Sequence, residues 1–308
     1  MIFIGDIMPV WGGRKVRFHA EIQALLARAD LVIGNCEAPI TGKTRARGNH
    51  FQLGKAYLRA VLQESGIRPD RCILSVANNH AGDQGEAGLT NTVAQLLNIG
   101  IRPLGQVGPQ RSPIERIGCR RLTLGVVTWT HWLNRECLPA MAGIWRVGQI
   151  ENLTWPAIKS TAGVDCLIGL PHWGYEFQHY PDVQTQHFAH HLLAQGFDLL
   201  AGHHPHVVQP IERFDHQLCL YSLGNFNGYP GLPFVRWPIR IGFIFEIRLV
   251  SVGLHRGTIA GYTIHPVAVE VKSRQIWLVP LAYAAPSLRQ RASKRLQQLF
   301  DLTQSPDT

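Results

Sequence analysis

The sequence predicts an α/β protein, and three patterns carry that prediction. Short apolar runs alternate with helix-like stretches through the first two thirds of the chain. Runs rich in β-branched and aromatic residues, punctuated by glycine, take over in the last third. Finally, 45% of the 308 residues are apolar, enough to bury a core without covalent staples. In chain order, residues 2–4 read as a strand, 21–28 as a helix, 30–34 as a strand, 56–64 as a helix, 73–77 as a strand and 85–97 as a helix. Strands follow at 122–128, 165–170, 199–202 and 218–223, with helices at 152–160 and 181–195. Residues 242–250, 257–265 and 274–279 read as antiparallel strands. The last element, 287–300, spaces Leu288, Ala292, Leu296 and Leu299 by four, four and three, which is an amphipathic helix with Ser287 as its expected cap. No internal repeat or linker divides the chain, so residues 1–284 are expected to form one domain and 285–308 a basic amphipathic helix and tail.

Thirty Lys and Arg against 21 Asp and Glu leave a net charge of +9, which favours anionic partners. The excess gathers at Lys43, Arg45 and Arg47 and again at Arg289, Arg291, Lys294 and Arg295. The basic loop is placed to face a site entrance or simply to meet solvent; the basic helix is expected to pack its apolar stripe on the body, with peripheral membrane contact as the other reading. The chain starts on an apolar strand without a secretory-signal pattern, and its long uncharged stretch at 216–235 is broken by Gly, Asn and Pro. A cytoplasmic location is the expectation. Cys36, Cys72, Cys119, Cys137, Cys166 and Cys219 form no C-x-x-C pair and read as reduced thiols.

Some familiar signatures are excluded. Thr41-Gly42-Lys43-Thr44 imitates the end of a phosphate-binding P-loop, but the first glycine of that motif would fall at Glu37. Neither G-x-S-x-G nor H-E-x-x-H occurs. Trp129, Trp132, Trp145 and Trp173 read as core or pocket wall, and no aromatic–basic pattern points to nucleic acid.

The informative feature is where the metal-ligand residue types fall. Asp6 follows the first apolar run, Asn35 and Glu37 the second, and Asn78, Asn79 and His80 the third. His172, then His203, His204 and His206, then Ser222 and Asn225 follow three later runs. In α/β proteins the carboxyl ends of strands gather at one edge, where ligands bind. Carboxylates, an amide oxygen and imidazoles meeting there suit one or two divalent cations, with Mn, Fe, Zn and Mg all compatible. Two such ions about 3.5–4 Å apart suit phosphoester hydrolysis.

Six motifs in order carry a family resemblance: Gly5-Asp6-Ile7-Met8, Gly34-Asn35-Cys36-Glu37, Ala77-Asn78-Asn79-His80 with Asp83 and Gly85, His172-Trp173-Gly174 with Glu176, Gly202-His203-His204-Pro205-His206, and Tyr221-Ser222-Leu223-Gly224-Asn225-Phe226. Together they resemble the CapA family of poly-γ-glutamate capsule synthesis proteins, a branch of the calcineurin-like metallophosphoesterase superfamily. The resemblance implies a four-layer αββα sandwich, with two central mixed sheets flanked by helices. It also implies metal ligation by Asp6, Glu37 as bridge, Asn79, His172, His204 and His206. His80 matches the residue that protonates a leaving group or grips a phosphate oxygen. Glu176 is grouped with it at the catalytic centre. Asn35, Asn78, Asp83, His203, Ser222 and Asn225 are expected to orient the ligands or meet substrate. The chain departs from the wider superfamily at Met8, where a histidine ligand commonly stands, so one metal position has fewer ligands. Cys36 reads as a small buried thiol rather than a soft ligand.

The resemblance implies a dinuclear metal-dependent hydrolase, with metal-bound hydroxide as nucleophile, acting on a phosphoester or in the synthesis or processing of poly-γ-glutamate or a related anionic polymer. Two other readings stand beside it. One is a non-catalytic accessory protein that binds the polymer for a membrane-embedded synthase; the other moves the hydrolysis to the polymer's γ-amide.

Overall fold

The structure, a computed structural model, describes residues 1–10, 14–42, 44–47, 50–106, 112–135, 143–228, 237–273 and 275–301. Its layers follow from the two-residue period of strands, which sends successive side chains to opposite faces. In β1 (Ile2–Ile7), Ile2 and Ile4 join one apolar cluster and Phe3 another. β3 (Val32–Cys36) repeats this with Val32 against Ile33, and β7 (Cys72–Ser75) with Leu74 against Ile73. The first cluster is shared with α1 (Ala20–Ala27), α2 (Lys55–Ser65) and α3 (Gly85–Ile99), through Leu26, Val61 and Leu89 among others. The second lies between two sheets, where it meets Leu124 and Val126 of β10 (Leu122–Thr130), Ile168 of β11 (Cys166–His172) and Leu199 of β12 (Leu199–Ala201). The opposite faces of those strands, through Val127, Trp129, Leu167 and Leu200, pack on α4 (Val147–Glu151), α5 (Trp155–Ala162) and α6 (Val183–Ala194). The layers therefore run helices, sheet, sheet, helices, as the resemblance implies.

The remaining strands are β2 (Val16–Phe18), β4 (Ile40–Thr41), β5 (Arg45–Arg47), β6 (His50–Gly54), β8 (Arg102–Leu104), β9 (Glu115–Cys119), β13 (Ile211–Phe214), β14 (Gln217–Leu220), β15 (Ile241–Leu249), β16 (Ile259–Lys272) and β17 (Gln275–Pro280). One sheet has the order β2-β17-β16-β15-β1-β3-β7-β8 and the other β13-β14-β12-β11-β10-β9. Both are mixed. The runs β1-β3-β7-β8 and β10-β11-β12-β14 are parallel, so each sheet presents a row of carboxyl ends. A small sheet, β4-β6-β5, lies outside them.

The sheets meet backbone to backbone at Gly5. A Cβ there would lie 1.9 Å from the Gly224 carbonyl oxygen, and the Asp6 N–H donates to that oxygen at 3.0 Å. Any side chain at Gly5 would force the two rows of strand ends apart.

Three expectations are corrected. The strand expected at 257–265 runs on to Lys272, through Pro266. This is tolerated because β17 pairs with β16 only from Val267 onward, leaving Pro266 partnered on the β15 side alone. The last helix, α7 (Pro286–Asp301), starts one residue earlier than expected, so Ser287 lies inside it. Its first bond runs from the Arg289 N–H to the Ala285 carbonyl, with Pro286 supplying a preset first turn. Short strands such as β8 and β13 were absent from the sequence reading, since three or four residues show no period. Leu288, Ala292, Leu296 and Leu299 of α7 are buried in the cluster between the sheets, and Arg295 reaches the Tyr180 hydroxyl at 2.7 Å. Lys43, Cys137 and residues 302–308 lie outside the described residues. Among the described residues, no helix is long and apolar enough to cross a membrane.

Candidate metal centre

The two rows of strand ends bring the sequence-distant polar residues to one place. Asp6, in β1, accepts from Asn35 Nδ2 in β3 at 2.8 Å and from the His204 N–H at 3.2 Å. Asn35 in turn accepts from Asn78 Nδ2 at 3.1 Å, and Asn78 also donates to the Cys36 carbonyl at 2.9 Å. The second sheet answers with His172 at the end of β11 and with His203, His204 and His206 beyond β12. Oδ1 of Asn79 lies 2.8 Å from His172 Nε2, and His204 Nδ1 lies 3.1 Å from the same nitrogen. Oε1 of Glu37 is 3.5 Å from His172 Nε2 and 3.3 Å from His206 Nε2.

Two overlapping groups result. Asp6, Glu37 and His172 offer ligand atoms within 4.8 Å of one another, and so do Glu37, His204 and His206. Glu37 belongs to both. It is 0% exposed, and among the described residues neither of its carboxylate oxygens has a hydrogen-bond partner.

The electrostatics show what such a cluster lacks. Burial, followed by the charge of Asp6 beside it, pushes the Glu37 carboxyl well above its ordinary range. Burial, then the neighbouring imidazoles, pushes His172 and His204 well below theirs. His206 is lowered by burial against the opposing pull of Asp6. The imidazoles are thus neutral, with lone pairs to offer. Around His172 Nε2 crowd an amide oxygen, a carboxylate oxygen and another ring nitrogen, while a single N–H can serve only one of them. A divalent cation fits this donor set, because it satisfies several convergent lone pairs at once.

Backbone strain points to the same place. His204 and His206 hold φ of +97° and +58°, a region that residues with side chains rarely adopt. The His204 N–H bond to Asp6 and the contact of His206 Nδ1 with Asn225 Oδ1 at 3.0 Å brace the two conformations.

Around this cluster the other expected residues take distinct places. His80 is buried, its Nδ1 2.8 Å from Asp83 Oδ2, and its ring is stacked on Phe51 of β6 with centroids 4.0 Å apart. Asp83 also accepts from the Phe51 N–H at 2.6 Å. His203 turns away, its Nε2 3.2 Å from the Ile4 carbonyl. Ser222 Oγ accepts from the Gly224 N–H at 3.1 Å, a turn bond beside the site. Glu176 is exposed on the loop after β11, and only its charge reaches Glu37 and His206. Met8 is fully buried in the helix-side core, its backbone tied to the Asn227 side chain at 2.8 and 2.9 Å.

Two residues after β10 escaped the sequence reading. His131 donates its backbone N–H to the His172 carbonyl at 3.0 Å, and its buried Nε2 has no hydrogen-bond partner among the described residues. Asn134 accepts from Asn79 Nδ2 at 3.3 Å, which holds the Asn79 amide with its oxygen toward His172. The signal was the one used elsewhere, a polar residue at a strand end, but the strand was read as ending at Thr128 instead of Thr130.

Comparison with known proteins places this geometry in context. The chain is 26% identical over 242 residues to the PGA biosynthesis protein CapA of Bacillus subtilis, covering 73% of this chain and 62% of that protein. It is 29% identical over 186 residues to a Mycobacterium tuberculosis protein named "Probable polyglutamine synthesis accessory protein", covering 54% of this chain and 48% of that one. The match thus spans less than two thirds of either relative. Among solved structures, a 5'-nucleotidase from Candida albicans aligns with a TM-score of 0.47 at 10% identity, over 98% of this chain and 58% of that one. The family model described as bacterial capsule synthesis protein PGA_cap matches residues 1–229, the span that holds every residue of the centre, and the chain belongs to that family.

Proposed function

We propose that the chain is a metal-dependent hydrolase of phosphoesterase type, working in the synthesis or processing of poly-γ-glutamate or a related anionic polymer. The observation that carries this reading is Glu37, a buried carboxylate without a hydrogen bond among the described residues, shared by two groups of potential ligands. Asp6, Glu37, Asn79, His172, His204 and His206 would hold the ions, Glu37 being the residue that belongs to both ligand groups. One or two divalent cations bound there would supply Lewis-acid neutralisation of phosphoryl charge and activation of water. Asn35 and Asn78 fix Asp6 through the amide chain described above. Asp83 accepts from Nδ1 of His80, so that the ring, when it carries both protons, presents an Nε2–H to the departing oxygen. Glu176, at the rim, orients what enters. Residues 1–284, with α7 packed on them, act as the working unit.

The test is purification, a count of bound Mn, Fe, Zn and Mg, and assay of a chromogenic phosphodiester and of poly-γ-glutamate. His80→Ala is expected to abolish turnover with metal content unchanged; turnover that survives this substitution overturns the assignment of His80. A second reading, an accessory protein that presents polymer to a membrane synthase, is favoured by the name of the M. tuberculosis relative. Polymer binding without turnover of any substrate decides for it.

A further inference from the structure

Three aromatic rings stand at the mouth of the metal centre, and the proposed chemistry gives none of them a task. Trp132 meets the His204 ring edge-on, with centroids 5.0 Å apart and planes at 86°. Tyr175, 52% exposed, lies beside Trp132 at 5.7 Å and 35°. Phe177, 44% exposed, lies against the His206 ring, with centroids 6.1 Å apart. Its position is held: Phe177 has φ of +64°, costly for a bulky residue, and its N–H donates to the Pro205 carbonyl at 2.9 Å. Single exposed aromatics are ordinary on protein surfaces. A half-buried Trp132 against His204, extended outward by the exposed Tyr175, and an exposed Phe177 against His206 are different, because a group attached to an anion at the centre meets them.

We infer that Trp132, Tyr175 and Phe177 form a subsite for the leaving group of the substrate. The occupant is a phosphoester whose alcohol part offers a flat ring with an apolar face, either an aryl or base ring or a sugar. This rests on the phosphoesterase reading of the centre and narrows it. Rings at 5–6 Å from the ligand histidines are within stacking reach of a group bonded directly to a bound phosphoryl. Stacking rewards a π-face or the flat face of a sugar, whereas an acyclic polyanion has neither to offer. Glu176, exposed between Tyr175 and Phe177, adds a negative charge that disfavours a second anionic group at this position.

The test is calorimetric binding to the metal-loaded chain of phenylphosphonate, cyclohexylphosphonate, n-butylphosphonate and inorganic phosphate. Phenylphosphonate is expected to bind roughly tenfold more tightly than n-butylphosphonate, the amount one aromatic stack contributes. The cyclohexyl compound separates the sources: affinity close to phenyl points to a sugar face, affinity close to butyl to an aromatic ring. In Trp132→Ala, and more weakly in the exposed Tyr175→Ala, the phenyl-to-butyl ratio falls toward one, and Trp132→Phe restores most of it. Phosphate binding with no preference among the phosphonates, or a preference unchanged in both alanine variants, overturns the subsite alone. Failure of phosphate and every phosphonate to bind overturns it together with the phosphoesterase reading.

Discussion

Two buried regions built by the same strands obey opposite energetics. Between the sheets, Phe3, Ile33, Leu124 and Ile168 are at most 2% exposed, and each gains roughly 1.5–3 kcal/mol from leaving water. A few residues further along, Asp6, Glu37 and His172 are as deeply buried, as is His206 beyond β12, and there burial costs free energy. Backbone conformation shows the same contrast. Of the six described residues with side chains and positive φ, Arg120, Asp215 and Ser273 sit in hairpin turns that must reverse the chain. Phe177, His204 and His206 sit at the site, where no hairpin requires it. A fold that tolerates both buried titratable groups and backbone strain at one edge is keeping that edge for something other than its own stability.

The strongest way to break the contrast is to supply the missing charge. Adding Mn or Zn at about a thousandfold over its dissociation constant is expected to raise unfolding stability by about 4 kcal/mol, read as a shift in the denaturation midpoint. Glu37→Ala removes the residue common to both groups and with it this stabilisation. An unchanged metal response in that variant would show that the ions lie elsewhere.

The converse experiment disturbs the slab between the sheets. Leu124→Ala, at a position 0% exposed, should cost roughly 3 kcal/mol through lost burial and the cavity left behind. Metal bound per folded molecule should stay as in the parent. Coupled loss of both would mean that the two regions do not act separately.

A subtler difference lies in pH. In metal-free protein the neutral His172 and His204 resist protonation that the unfolded chain accepts below about 6.5, so the folded state gains stability as pH rises toward that value. Glu37 acts the other way. Its raised range keeps the proton that the unfolded chain sheds above about 4.5, so stability falls with pH, and above 6.5 this loss is what remains of the site's contribution. Each proton is worth up to about 1.4 kcal/mol per pH unit. Denaturation of the metal-free protein should therefore show a site-dependent maximum near pH 6.5, and Glu37→Gln should flatten its alkaline side.

How much of this was legible in the sequence depended on contrast. Asp6, Asn79, His172 and the His204-Pro205-His206 segment stand out because each polar group ends an apolar run, and the parallel strands carry them to one edge. His131 was lost because two more residues of strand, Trp129 and Thr130, hid its terminal position. Phe51 was invisible as a partner of His80, since β6 is short and reaches His80 only through tertiary packing. Glu176 was legible as a motif residue, yet a motif carries no information on how far its loop holds it from the ions.

Cys36 marks the boundary between the two regions and supports the smallest prediction. It stands between Asn35 and Glu37, so proximity in sequence would make it a ligand. Strand alternation turns it to the helix-side core instead, where its Sγ donates to the Ala38 carbonyl at 3.6 Å. Burial pushes the thiol from 9.0 up to about 12, so at pH 8 only about one molecule in ten thousand carries the thiolate that binds metal or attacks a reagent. Cys36→Ala is expected to lower stability by about 1 kcal/mol with metal content unchanged. In the folded parent, Cys36 should stay unlabelled by a thiol reagent at pH 8, as judged by mass spectrometry. A large fall in metal affinity on this one substitution would move the boundary, placing the sulfur among the ligands and giving the centre the soft donor that strand alternation denies it.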